Sequence, residues 1–149
     1  MLIDWNLAPT APALRPGARR RVVTTDRTTV VRVDTAADAP FDGVAHRHEQ
    51  EQWVLLLAGS LHFRCAGTEA RLRPGDLVHV PPRQWHAVTA VGADGARYLE
   101  ISTPPRLDLL PGVLLASPLE FRTPAEPASP SPDGEGRPAL TTPEDSHAR

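Results

Sequence analysis

The residues best able to do chemistry cluster in the segment HRHEQEQWVLLLAG, residues 46–59. His46 and His48 are separated by one residue. On a β-strand, side chains alternate between faces, so the two imidazoles project from one face while Arg47 points away from them. Two imidazoles side by side inside a barrel form a chelate, although half-exposed histidine pairs on strands also occur without a metal. Gln52, Val54 and Leu56 keep the even-numbered register after a turn, which suits a donor followed by apolar residues that wall it from water. A second segment, RPGDLVHVPPRQWHAV over residues 73–88, reads as a Pro-Gly turn, a strand, and a further turn that delivers His86.

These groups must be held by β structure. From Arg19 the chain runs through RRVVTT and TTVVRVDT, rich in β-branched residues and split by an Asp26-Arg27 turn. The segments VAHRHE, QWVLLLA, SLHFRCA, EARLRP, DLVHVPP, HAVTAV and ARYLEIST follow, with turns expected at Ala58-Gly59, Ala66-Gly67, Pro74-Gly75 and Gly92–Gly95. Short strands at that spacing indicate an all-β sandwich or barrel, and no helical period of comparable length competes. With 149 residues there is room for one domain. Residues 1–18, with three prolines, read as an N-terminal arm; 19–116 as the barrel; and 117–149, with seven prolines among polar and small residues, as a tail, disordered from about residue 124.

Composition excludes several function classes. The formal charge is −2, and the basic residues are scattered apart from Arg19, Arg20 and Arg21, so no stripe for a nucleic acid is present. All 16 basic residues are Arg, a coding bias of GC-rich bacterial genomes. The single Cys65 precludes an internal disulfide and reads as a small buried strand residue. No leader-like N-terminus and no run of about 18 apolar residues is visible, so no membrane partner and a cytoplasmic location are expected.

The two histidine segments together resemble the paired motifs of the cupin family, usually written H-x-H-x3-E-x6-G and G-x5-P-x-G-x2-H-x3-N. His46, His48, Gln52 and Gly59 match the first, and Gly75, Pro81 and His86 the second, over a resemblance running from about residue 19 to 110. Gln52 stands in place of Glu, Arg83 in place of the second motif's internal Gly, and Ala90 in place of its Asn. The resemblance implies a double-stranded β-helix, or jelly-roll, barrel. It also implies one divalent metal ion held by His46, His48 and His86, with Gln52 as fourth ligand. A neutral amide in place of a carboxylate leaves such a site one unit more positive and the metal a stronger Lewis acid. Three imidazoles and an amide oxygen suit zinc, nickel or iron.

The remaining candidates follow from strand parity and from the resemblance. His62 is expected on the surface between inward Leu61 and Phe63, while His79 has either an outward position or one that orients a ligand. Trp53 or Val54, Leu56, Leu61, Phe63, Trp85 and Tyr98 are candidate pocket-lining or core residues. Glu100 and Ser102 share a face of the last strand. In the small cupins that isomerise unsaturated uronates, an acid, an aromatic and an arginine fall in this strand. Glu100 matches the acid and Arg106 the arginine, with Ser102 replacing the aromatic, and an ordinary rim ion pair is the alternative reading of Glu100 and Arg106. The chemistry implied is metal-assisted enolisation of a small-molecule carbonyl substrate. A polyketide cyclase of bacterial secondary metabolism is the first expectation. The alternatives are a uronate or sugar enol tautomerase, a non-haem iron dioxygenase, and a non-catalytic binding cupin. A homodimer formed through the Arg19–Val33 strands is expected.

Overall fold

The computed structural model describes residues 1–123. It is built from nine strands and a single turn of 3₁₀ helix, Leu107–Leu109: β1 (Thr10–Ala11), β2 (Ala18–Thr24), β3 (Thr29–Thr35), β4 (Ala45–Arg47), β5 (Glu51–Cys65), β6 (Thr68–Leu72), β7 (Leu77–Val80), β8 (His86–Thr103) and β9 (Glu120–Arg122). All pairings are antiparallel, along the path β1-β2-β3-β8-β4-β9, with β5 joined to β6, β7 and β8. The result is a jelly-roll barrel, the fold that the motif resemblance implies.

Period-two patterning drives it. In β3, Thr29, Val31, Val33 and Thr35 are buried and the residues between them are not. In β2, Val22 and Arg20 share the buried face. The core is a single cluster that includes Val22, Val31, Val33, Val54, Leu56, Leu61, Phe63, Val80 and Tyr98. Burying each such side chain is worth about 1.5–3 kcal/mol.

Two of the expected turns are absent. β5 passes through Ala58-Gly59 without reversing, and β8 passes through Gly92–Gly95 in the same way. The pairing of β5 with β8 instead shifts register between Leu56 and Ala58, between Gly59 and Leu61, and between His62 and Phe63. Bulges bend both strands while leaving them paired, as a small barrel requires. They also change parity: even residues face inward before the bulges (Gln52, Val54, Leu56) and odd ones after (Leu61, Phe63). Gly59 sits at this bend with φ +77°, and a Cβ there would collide with the carbonyl oxygen of Gly95. The glycine of the first motif is therefore a backbone requirement.

Both ends of the chain join the sheet. The arm supplies β1, which pairs with β2, and buries Ala8 and Ala11. The segment from 117, expected from sequence to be a Pro-rich, mostly disordered tail, supplies β9, which pairs with β4. Residues 124–149, where the tail was expected to be disordered, lie outside the described residues. Among the described residues no helix is long and apolar enough to cross a membrane.

Candidate metal centre

His46 lies on β4, His48 just beyond it, and His86 opens β8 opposite His46 in the ladder. Cross-strand pairing and the i, i+2 spacing converge the three rings. Their centroids lie 4.3 Å (His46–His86), 5.1 Å (His48–His86) and 6.0 Å (His46–His48) apart. One ring nitrogen from each falls within 4.8 Å of the others, a group that could hold a metal ion. His48 and His86 are buried, as is Gln52.

Hydrogen bonding orients two of the rings. His48 Nδ1 lies 3.0 Å from the carbonyl of Gln50, and His86 Nδ1 lies 2.8 Å from that of Gln84. A carbonyl accepts, so each Nδ1 carries the proton and each Nε2 presents a lone pair. The His86 Nε2 is buried with no hydrogen-bond partner. His48 Nε2 faces Gln52 Oε1 at 3.0 Å. Two lone pairs aimed at one another repel unless a cation lies between them or the amide presents its NH₂. An orphaned buried nitrogen and converging acceptors are the donor set a late divalent ion satisfies, and the residues present fit one.

The surroundings keep the imidazoles neutral, as ligation demands. Burial holds His86 down to about pKa 4. Burial, then the neighbouring His86 and His48, hold His46 well below the usual value. Burial, then the Arg106 charge, lower His48.

The second motif's turn is clamped onto the first motif, with the Arg83 amide donating to the His48 carbonyl at 2.7 Å. Arg83 has φ +63°, a left-handed conformation that glycine adopts freely and other residues at a cost. This accounts for the glycine usual at that motif position.

The other sequence candidates divide. Glu100 faces inward, paired across the ladders with Val31 and Val54, two residues from Ser102, which pairs with Gln52. Successive rungs on one face are about 6.8 Å apart, so Glu100 lies one rung from the amide of Gln52. Its charge reaches His48 and His86, where it acts to raise their pKa. Glu100 Oε2 accepts from Arg20 Nη2 at 2.9 Å, and Arg20, almost fully buried, also donates to the Pro12 carbonyl at 3.0 Å. Arg106 is buried too, with its Nε and Nη2 donating to Asp108 at 2.8 and 2.7 Å and its amide donating to Thr29 Oγ1. Trp53 lies on the outer face, stacked on His79 at 4.4 Å with its indole donating to Glu51. His79 is thus outward, and so is His62, near Glu69. Trp85 lies under the Arg47 and Arg122 guanidiniums at 4.8 and 5.7 Å. Arg20 was missed as part of a basic run, although its parity with Val22 marks it as inward.

The chain is thus a small jelly-roll barrel in which three histidines converge into a group that could hold a metal ion. Residues 29–102 match the family model described as a cupin domain, and the chain belongs to the cupins. No curated protein matches it by sequence. Among solved structures it is similar to KdgF from Halomonas sp., at 25% identity and TM-score 0.58 over 67% of this chain and 90% of that one. It is also similar to an RmlC-like cupin from Shewanella frigidimarina, at 19% identity and TM-score 0.60 over 72% and 94%. The polyketide cyclase RemF from Streptomyces resistomycificus matches at 17% identity and TM-score 0.58 over 72% and 81%.

Proposed function

We propose that this cupin is a metal-dependent enzyme that enolises a carbonyl substrate, with aldol-type cyclisation of a poly-β-ketone as its reaction and tautomerisation of a sugar or uronate enol as the second reading. The observation that carries the proposal is the inward carboxylate of Glu100, one rung from the Gln52 amide and electrostatically coupled to His48 and His86. A divalent ion held by His46, His48 and His86 with Gln52 would supply Lewis-acid polarisation of the substrate carbonyl.

The chain's own residues supply the rest. Glu100 accepts the α-proton. Arg20 engages only Oε2, which fixes the carboxylate and leaves Oε1 to reach the substrate. Because Arg20 also grips the Pro12 carbonyl, the arm helps set the base's position. Arg106, paired with Asp108 through Nε and Nη2, contributes positive charge toward the imidazoles. Val54, Leu56, Leu61, Phe63 and Tyr98 belong to the packed apolar core of the barrel, which would keep the surroundings of an enolate poor in water. That RemF has the same barrel makes the fold compatible with cyclisation.

The test is Glu100→Gln, with metal content, melting temperature and product formation measured on one preparation. The substrates are a linear poly-β-ketone, followed by mass spectrometry for loss of water, and an unsaturated uronate. Metal and fold should be retained while turnover falls roughly 10²- to 10⁴-fold, the usual worth of a positioned general base. Unchanged turnover would refute Glu100 as the base.

A further inference from the structure

We infer that β9 is a positioning strap for the metal centre, acting through His46. This rests on the reading of His46, His48 and His86 as the ligand set and deepens it. The three histidines are not held alike. The Nδ1 of His48 and of His86 is each tied to a backbone carbonyl. Among the described residues no hydrogen bond reaches the His46 ring. Its strand is three residues long and touches β8 at one register position, His46 opposite His86. A ligand so loosely anchored needs orientation from elsewhere, because metal affinity depends on how well a ring is held in its coordinating pose.

β9 supplies that orientation. It covers the other edge of β4 in register, Ala45 opposite Arg122, His46 opposite Phe121 and Arg47 opposite Glu120. The Phe121 ring lies 6.3 Å from the His46 ring. Both flanks of the contact are locked. Glu120 Oε2 accepts from Arg47 Nε and Nη2 at 2.9 and 2.6 Å. Arg47 and Arg122 both lie over Trp85, the residue preceding His86. One short strand thus ties the β4 ligand to the segment that delivers the β8 ligand. An exposed ion pair and a three-residue edge ladder add little to global stability, so the effect of removing them belongs at the metal.

Full-length protein is titrated with Co²⁺, reading the dissociation constant and the visible absorption that reports coordination geometry, alongside melting temperature. Glu120→Arg, which sets like charge against Arg47, and Phe121→Pro, which breaks the ladder, should each weaken binding about 10- to 100-fold, as loss of a ligand-orienting contact does. Both should alter the absorption band, and Glu120→Asp should restore most of the affinity. In a His46→Ala background the same substitutions should cause no further loss. If Phe121→Pro impairs folding, Glu120→Arg decides, since its ion pair is solvent-exposed. Wild-type affinity and spectrum in both strap variants, or equal losses with and without His46, would overturn the inference while leaving the metal centre standing. A wild-type chain that takes up no Co²⁺ would overturn both.

Discussion

Acid should destabilise the metal-free protein in a window set by His86. In the unfolded chain its imidazole titrates near 6.5, whereas in the fold burial holds it to about 4. Above pH 6.5 both states are neutral and the fold has its full stability. As pH falls from 6.5 to 4 the unfolded state binds a proton that the folded state refuses, and stability declines. Each pKa unit is worth about 1.4 kcal/mol, so His86 alone costs the fold about 3 kcal/mol across that window. For a domain whose whole stability is of the order of 5–15 kcal/mol this is a large fraction. His46 and His48, also lowered, act in the same direction. The carboxylates act elsewhere. Burial pushes Asp34 and Asp108 up, but hydrogen bonds from Arg97 and Arg32, and from Arg106, outweigh it and hold them below 3.8. Their contribution is therefore lost only below that pH. The assay is urea unfolding of chelator-stripped protein from pH 7.5 to 4, with His86→Phe alongside. The variant removes both the titrating ring and its orphaned Nε2, beside Phe63, whose ring stacks on His86 at 6.0 Å. It should flatten the slope and be no less stable at pH 7. Equal stability of the stripped wild type at pH 7 and pH 4, or an unchanged slope in His86→Phe, would refute the reasoning.

Purified protein should carry about one equivalent of divalent metal, lost in the His46→Ala, His86→Ala double variant and kept in His62→Ala, as read by elemental analysis; Gln52→Ala should weaken binding less than loss of an imidazole, an amide being a poor ligand. Gly59→Ala should cost more than about 3 kcal/mol or prevent folding, because the new methyl meets backbone that cannot yield; a thermal melt decides. Arg83→Gly should be neutral to about 1 kcal/mol stabilising, relief of the left-handed backbone outweighing glycine's extra chain entropy, while Arg83→Val should be clearly destabilising. Arg20→Met should lower turnover without removing metal, since the guanidinium touches Glu100 and no histidine; calorimetry and product assay on one sample separate the two.

The sequence by itself determined the strand-rich barrel and set His46 beside His48, because both rest on short-range rules, while His86 was reached only through the resemblance to the second cupin motif. Alternation in Thr29–Thr35 sets a face, and an H-x-H spacing puts two rings on one side whatever the rest of the chain does. Parity also placed His62 outward and put Glu100 on one face with Ser102, while the resemblance to the uronate-isomerising cupins singled Glu100 out. Tertiary structure decided what depends on contacts far apart in the chain. Ala58-Gly59 and Gly92–Gly95 read as turns, and only the pairing of β5 with β8 makes them bends within continuous strands. Trp53 could face either way until β7 brought His79 against it. Arg20 resembled its surface neighbours until Glu100, 80 residues away, came within 2.9 Å. Nothing local in Glu120–Arg122 marks a strand. Its partner is the edge of β4, 73 residues earlier, and that edge exists only once the barrel has closed around the histidines.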